Sequence, residues 1–476
     1  RDELGESINA DTFKQIADYQ CSVWAAQPTR VFVPVFLLNG ANLTLIIFTR
    51  NYWYRVYIGP ICHSSTEVYG NMANSVCSTL VLLRFLLTLP PDEFGHFCSV
   101  FRVPCYLEFV RKDAAAVDTE IVVSKKPNTE PGAYSVKVVS HTRRVVHLRH
   151  HLAHIFNVNY RGKSAILKLS WTPHDTVPES AVYELLANSG VNYIPKIHVS
   201  GLLERDRFGY HLEFLIMEDC GMSVDRYIEP RMDDLPTADH CLSRVARVVN
   251  RVLRCLAQAK VLCGILHRDI SLGNVMVGLK GTVRVVDWGC AKVLFDDNLP
   301  QDSLNHRVSV AAKWGYVDVV TPTTDKAIHN PLTGTPLYMS IPVLSGAAIR
   351  SLADDIESLF YVILHALHLS GTKKDLVDVP RGFVYHDYDS FAMVRIGCLA
   401  SEANFLQFFG IPDISAELRQ LLCNLRKFLL VADGEFIAPR LVLDASTPRG
   451  TDFDLLCDFV ERDTLKLLKS DKLSVS

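Results

Sequence analysis

Thirteen cysteines are scattered through the 476 residues without a single C-x-x-C pair, so neither a zinc framework nor a dithiol redox motif is written here. An odd count in so long a chain implies reduced, mostly buried thiols rather than a disulfide scaffold. Neither sign of charge dominates. With 49 basic and 52 acidic side chains the net charge is −3, which excludes a global basic field attracting nucleic acid or an anionic membrane. Long uninterrupted hydrophobic runs are missing as well. Residues 31–48 are broken by Asn39-Gly40-Ala41-Asn42, which suits a hairpin turn, and 79–89 is too short and holds Arg84. The chain opens Arg1-Asp2-Glu3-Leu4, with neither methionine nor a basic-then-apolar leader, and is expected to be a fragment or processed form. A soluble intracellular protein, cytoplasmic or nuclear, without a nucleic-acid or membrane partner is the expectation.

What is present is core. A hydrophobic fraction of 49% against 21% charged residues supports two or three domains at about 150 residues each. A polar, Pro-containing stretch around Lys125-Lys126-Pro127-Asn128-Thr129-Glu130-Pro131-Gly132 reads as a linker. Upstream, 30–38, 43–49 and 53–59 are β-rich runs and 67–89 has helical spacing, so residues 1–110 form an expected α+β module, with 111–132 the linker. Residues 133–220 are again rich in short apolar runs. From 221 to 476 helical stretches dominate, at 241–262, 354–369, 414–431 and 453–468. The expected class is α+β, a β-rich lobe followed by a helical lobe.

The chemistry sits just inside the helical part. His267-Arg268-Asp269 is followed by Asn274, and the strand-like Gly281–Val286 ends in Asp287-Trp288-Gly289. Moving a phosphoryl group from ATP requires one carboxylate to orient and accept a proton from the attacking hydroxyl. It also requires an Asn and a second Asp to hold magnesium on the phosphates. Asp269, Asn274 and Asp287 supply all three from two short loops joined by a hairpin.

The order of these motifs, with Leu332-Thr333-Gly334-Thr335-Pro336-Leu337-Tyr338-Met339-Ser340-Ile341 and Asp354-Asp355-Ile356-Glu357-Ser358-Leu359-Phe360-Tyr361-Val362 after them, resembles the fungal-type protein kinases, a divergent branch of the protein-kinase superfamily. The similarity extends to Gln27-Pro28-Thr29-Arg30-Val31-Phe32-Val33 upstream; the D-D-I-E-S-L run also resembles the casein-kinase branch. The resemblance implies a bilobal kinase-like fold and ATP with Mg2+ as cofactors. Asp269 becomes the base, Asn274 and Asp287 the metal ligands. Lys168, alone in the apolar run Ala165–Leu169, would pair the phosphates, unless it lies on an edge strand facing water. Its helical partner is Glu179, with Glu184 as alternative. Met217, Glu218 and Asp219 would line the adenine side, and Asp355 would hold the catalytic loop, one of the Asp354/Asp355 pair being a plain first-turn acid.

Departures from the family pattern narrow the expectation. Ser140–Tyr160 contains no glycine, and Ser140-His141-Thr142-Arg143-Arg144 stands where a glycine loop is expected; Arg143 and Arg144 are either phosphate cations or a solvated basic turn. Ser271 replaces a lysine, Trp288 a phenylalanine, and A-P-E is absent. Thr321, Thr323, Thr324, Thr333 and Thr335 are candidate phosphorylation sites for pairing with Arg268, or belong to a mere insertion. Cys290 is either reactive beside the nucleotide or an inert thiol. A serine/threonine protein kinase acting on an unidentified protein is the favoured function. A pseudokinase scaffold and a small-molecule phosphotransferase are the alternatives, and residues 1–110 either pack on the β-rich lobe or recruit a partner.

Overall fold

The computed structural model describes residues 15–16, 18–20, 23, 33–39, 42–48, 53–60, 120–124, 133–145 and 153–439, the last apart from 174–175, 206–209, 229–237, 279, 295–298, 315–332, 347–349, 372–379, 384–386, 401–404, 412–413 and 434–435. Two compact units result: residues 1–176 with 197–219, and residues 177–196 with 220–476.

In the first unit β1 (Val33–Asn39), β2 (Asn42–Phe48) and β3 (Trp53–Pro60) form an antiparallel meander. The run 31–48 thus holds two paired strands, Val33 opposite Phe48 and Asn39 opposite Asn42. Alternation of side chains gives β2 two working faces. Ile46 and Phe48 join Ile16 and Val33 in one core, while Ile47 packs against the core of a larger sheet.

That larger sheet comprises β4 (Glu120–Ser124), β5 (Ala133–Val145), β6 (Ala153–Tyr160), β7 (Lys163–Pro173), β8 (Ile197–Arg205) and β9 (Tyr210–Glu218), in the order β4-β5-β6-β7-β9-β8. Strand β4 lies within the stretch expected to be linker; its consecutive β-branched Ile121, Val122 and Val123 pair with Val136, Ser135 and Tyr134. Strand β5 runs straight through Ser140–Arg144, with register shifts between Val138 and Ser140 and between His141 and Arg143. The strand passes this glycine-free stretch by bulging. Alternate residues of three strands make one core face: Phe156 and Val158, Leu167, Leu169 and Trp171, then Leu212, Phe214 and Ile216. Each such fully buried side chain contributes about 1.5–3 kcal/mol.

The second unit contains α1 (Glu179–Asn188), β10 (Met222–Ser223), α2 (Val224–Ile228), α3 (Ala238–Cys263), β11 (Ile265–Leu266), β12 (Val275–Val277), β13 (Val283–Val285), β14 (Lys292–Val293), α4 (Gln301–Trp314), α5 (Ile341–Leu344), α6 (Leu352–Gly371), α7 (Tyr388–Ala400), α8 (Phe405–Phe408), α9 (Ala416–Leu429), β15 (Leu430–Asp433) and β16 (Phe436–Pro439). Helix α3 buries Leu242, Val245, Val249, Val252 and Leu256, a three-four spacing that turns one stripe toward α6. Helix α6 is apolar nearly all round and central, burying Ile356, Leu359, Phe360, Val362, Ile363 and Leu364. The helix expected to reach Val431 stops at Leu429, where the β15–β16 hairpin begins. The expected helices at 67–89 and 453–468 lie outside the described residues. Among those described, no helix is long and apolar enough to cross a membrane.

The last of the three points where the chain passes between the units lies between Asp219 and Cys220, one residue past β9. Gly221 follows at φ 92°, and a Cβ there would lie 2.4 Å from the Val277 carbonyl oxygen. Only glycine lets β10 come against β12 at this point.

Candidate active site

Hairpin geometry assembles the site within the second unit. Strands β12 and β13 pair with Val275 opposite Val285, so Asn274, just before the first, and Asp287, just after the second, emerge at the same end. The backbone seals this: Val286 N–H donates to the Asn274 carbonyl at 2.9 Å. Asn274 Nδ2 donates to the Asp269 carbonyl at 2.7 Å and to Asp269 Oδ2 at 3.2 Å. Asp269 Oδ1 receives two bonds, from Thr335 N–H at 2.8 Å and Thr335 Oγ1 at 2.9 Å. A carboxylate oxygen has two lone-pair sites. Oδ1 is therefore full, and Oδ2 keeps one acceptor position.

His267 and Asp355 set the loop that carries Asp269. Asp355 Oδ2 accepts from His267 N–H and Oδ1 from Arg268 N–H, both at 2.8 Å. His267 Nε2 meets the Val286 carbonyl at 3.0 Å and its Nδ1 accepts from Asp269 N–H at 3.3 Å, which assigns the proton to Nε2. One buried imidazole thus links the two loops. Arg268 is held at φ 70°, a costly conformation that the paired N–H bonds maintain. Burial, with the Arg350 guanidinium beside it, brings Arg268 down to about 10. Asp354 is more than a first-turn acid: it accepts from Ser340 Oγ at 2.6 Å and from Ser351 N–H at 2.7 Å.

The two glutamates of helix α1 have different partners within the second unit. Glu179 is buried and its Oε1 accepts from Trp288 N–H at 3.1 Å. One turn on, and so on the same face, Tyr183 accepts from Asp287 N–H at 3.1 Å. Burial, with Glu179 and Asp287 near, pushes the Tyr183 phenol well above its ordinary value, so it stays a neutral partner. Trp288 is fully buried, stacks obliquely on His267 at 4.5 Å and donates its indole N–H to the Val285 carbonyl at 3.1 Å. Glu184 faces elsewhere, bonded to Lys313 Nζ at 2.7 Å and Trp314 Nε1 at 2.9 Å on α4.

The segment around Thr-Gly-Thr departs from expectation. Thr335, read as a phosphorylation candidate, spends its hydroxyl on Asp269; a phosphate there would face that carboxylate. Gly334 stands at φ 108° with the Arg268 carbonyl 2.6 Å from where a Cβ would be, so this glycine is required for the approach. Arg350 straps the crossing, donating to the Arg268 and Thr333 carbonyls at 3.0 and 2.6 Å. Thr321, Thr323 and Thr324 lie outside the described residues. Cys290 is half-buried, with the charges of Arg268 and Arg350 close by. Tyr183 and Arg350 were not foreseen. The i, i+4 spacing from Glu179 pointed to the first, and nothing local pointed to the second.

Within the first unit, Lys168 sits on β7, an interior strand between β6 and β9, opposite Leu215. It is 5% exposed, which removes the edge-strand alternative. It projects from the face opposite Leu167 and Leu169, shared with buried Ser170 and Thr172. Met217, near the end of β9, is buried, and Glu218 and Asp219 are progressively more open, Asp219 accepting from Ser164 Oγ at 2.9 Å. Arg143 and Arg144 lie in β5 opposite Ile155 and His154.

Oxygen donors at Asn274 and Asp287 fit magnesium. The Asn274 amide turns its nitrogen to Asp269, leaving its oxygen for a cation. Among the described residues no three His, Cys, Asp or Glu side chains cluster as a metal cage, and magnesium needs none, taking one or two protein oxygens with substrate phosphates.

Asp269 with Asn274 on one loop, Asp287 joined to them through a hairpin, and Glu179 bonded to the second loop are thus brought together within the second unit. Residues 245–367 match the family model of the fungal protein kinases. The chain is also similar to the MAP kinase kinase kinase SSK2 of Saccharomyces cerevisiae, 29% identical over 112 residues, covering 22% of this chain and 7% of that protein. The serine/threonine-protein kinase PknD of Chlamydia muridarum is 32% identical over 107 residues, 22% of this chain and 11% of its own length. The probable serine/threonine-protein kinase PknB of Lactococcus lactis is 32% identical over 90 residues, 19% and 13% respectively. The chain thus spans only a small part of the length of these relatives.

Proposed function

We propose that the chain is an ATP- and magnesium-dependent serine/threonine protein kinase of bilobal fold, transferring the γ-phosphoryl group of ATP to a protein hydroxyl. The observation that carries this reading is the state of Asp269, with Oδ1 filled by Thr335 and Oδ2 keeping one acceptor position beside Asn274. The acceptor hydroxyl donates to Oδ2. As its oxygen bonds to the γ-phosphorus, its proton passes to Asp269 and the bond from that phosphorus to the bridging oxygen breaks, releasing ADP. Lys168 steadies the phosphates, Glu179 orients Lys168, and Arg143 and Arg144 add cations where glycines are missing. Met217 faces adenine, with the backbone of Glu218 and Asp219 meeting the base. Asn274 and Asp287 hold magnesium, which neutralises charge on the phosphates when bound. Residues 1–110 serve as an accessory module open to a partner.

A peptide acceptor is supported by the segment 333–341, tethered directly beside Asp269. Activity rather than a scaffold role is supported by the joint presence of Lys168, Asp269, Asn274 and Asp287. The test is phosphoryl incorporation from labelled ATP into a generic protein acceptor, beside Asp269→Asn. Expected is incorporation by the wild type alone, with a magnesium-dependent ATP thermal shift in both proteins. Equal incorporation by the variant would overturn the base assignment. A shift without incorporation in the wild type would give the scaffold reading precedence.

A further inference from the structure

Residues 335–341 have little hydrogen bonding of their own, a single turn of 3-10 helix at Pro336–Tyr338 and the start of α5. Four groups beneath the segment hold it instead. Arg395, on α7, donates from Nη1 to the Met339 carbonyl and from Nη2 to the Leu337 carbonyl. Tyr338, between them, meets His365 Nδ1 at 2.8 Å. Ser340 Oγ donates to Asp354 Oδ1, and Ile341 N–H donates to Glu357 Oε1 at 2.8 Å. On the upper side Thr333 to Leu337 are half-exposed, and Thr335 is bonded to Asp269.

Arg395 is the unusual member. It is 0% exposed, its guanidinium lying 3.7 Å from the Tyr361 ring centroid and 4.2 Å from that of Phe391, with Glu357 the nearby negative charge. A buried cation is costly, and an apolar side chain of like volume would serve packing as well or better. Two carbonyls two residues apart, by contrast, are matched only by a planar fork with fixed donors. An ammonium presents one point charge and cannot span both.

We infer that Arg395 is a positioning residue: it fixes the backbone of Leu337 and Met339 so that the half-exposed residues 335–337 form the floor against which a peptide acceptor lies beside Asp269. This rests on the kinase reading for its consequence, but not for its geometry. Glu357 assists by tying down Ile341.

The test uses the full chain and Arg395→Lys. Amide hydrogen exchange at Leu337 to Ile341 is expected to rise roughly tenfold, as for loss of one charged hydrogen bond, while amides of α6 remain as in the wild type. The KM for a peptide acceptor is expected to rise by a similar factor, with the KM for ATP within about twofold. Unchanged exchange at 337–341 would overturn the inference, as would equal increases in both KM values. Should Arg395→Lys not fold, Arg395→Gln, whose single amide cannot span both carbonyls, is expected to speed exchange at 337–341, and wild-type exchange there would overturn the inference. Should the wild type phosphorylate no peptide, the kinase reading fails while the exchange measurement still decides whether Arg395 fixes the segment.

Discussion

Asp355 grips two consecutive backbone N–H groups, those of His267 and Arg268, one with each carboxylate oxygen at 2.8 Å. The pair is buried, with Asp355 3% exposed, and it keeps Arg268 in its left-handed conformation. Asparagine would keep one acceptor but turn an amide N–H toward the other donor. Asp355→Asn is therefore expected to lower the unfolding free energy by about 2–3 kcal/mol in urea titrations, and to reduce turnover further by releasing Asp269. Asp354→Asn touches Ser340 and Ser351 instead, so it should leave ATP binding intact. Similar losses of ATP binding in both variants would contradict this division of labour.

Thr335 governs which oxygen of Asp269 remains available. Thr335→Ser keeps both donors and is expected to work at near wild-type kcat. Thr335→Val removes the hydroxyl donor, frees a lone pair on Oδ1 and lets the carboxylate rotate; a fall of roughly tenfold in kcat is expected, with the ATP thermal shift unchanged. Thr335→Asp sets a second negative charge against Asp269 and should abolish turnover. Mass spectrometry of active protein should find Thr335 unmodified, and a stoichiometric phosphate there would refute the assignment.

The juxtaposition of Asp269, Asn274 and Asp287 was readable because they fall within 19 residues and one hairpin brings them together. The strand that carries Lys168 was readable from its apolar run, and the structure places the lysine buried on it. The strands at 33–60 followed from β-branched and aromatic runs between turn residues. What stayed hidden depended on long-range contacts. Nothing near Arg395 in sequence signals that it reaches Leu337 and Met339, 58 and 56 positions away. Strand β4 was hidden by the prolines and lysines that follow it, because composition averaged over a window outweighed five residues with a partner. The choice between Glu179 and Glu184 was likewise open, since both lie on α1 and only the position of Trp288 separates them.

That choice leads to a paired comparison. Glu179→Ala strips the acceptor from the Trp288 N–H in a buried setting, which costs about 1–3 kcal/mol, and turnover should fall with it. Glu184 pairs with a lysine that is 58% exposed, so Glu184→Ala should change stability by less than about 1 kcal/mol. Because Trp314 loses its indole acceptor, its fluorescence should shift while turnover persists. Loss of turnover from Glu184→Ala with none from Glu179→Ala would reverse the assignment.

Two buried groups on α6 should give the fold opposite responses to pH. Burial, helped by Asp354 on its own helix, raises Glu357 to about 7 from 4.5, opposed by its bonds to Tyr361 and to the Ile341 N–H from α5 and by Arg395 from α7. Its folded-state pKa exceeds the unfolded one, so the stability it contributes is complete below about 4.5 and is lost as pH rises through about 7. Burial, with His368 adjacent, lowers His365 to about 4 from 6.5, against Tyr338 and with Asp225 from α2 opposing the shift. Its stability is present above 6.5 and is lost as pH falls through about 4. Urea unfolding from pH 4.5 to 8 should show Glu357→Gln gaining on the wild type as pH rises. Over the same range His365→Asn should gain as pH falls, each by a few kcal/mol at most. Parallel curves for wild type and Glu357→Gln would mean that Glu357 titrates alike in both states, and that its carboxylate is solvated rather than sealed beneath the 335–341 segment.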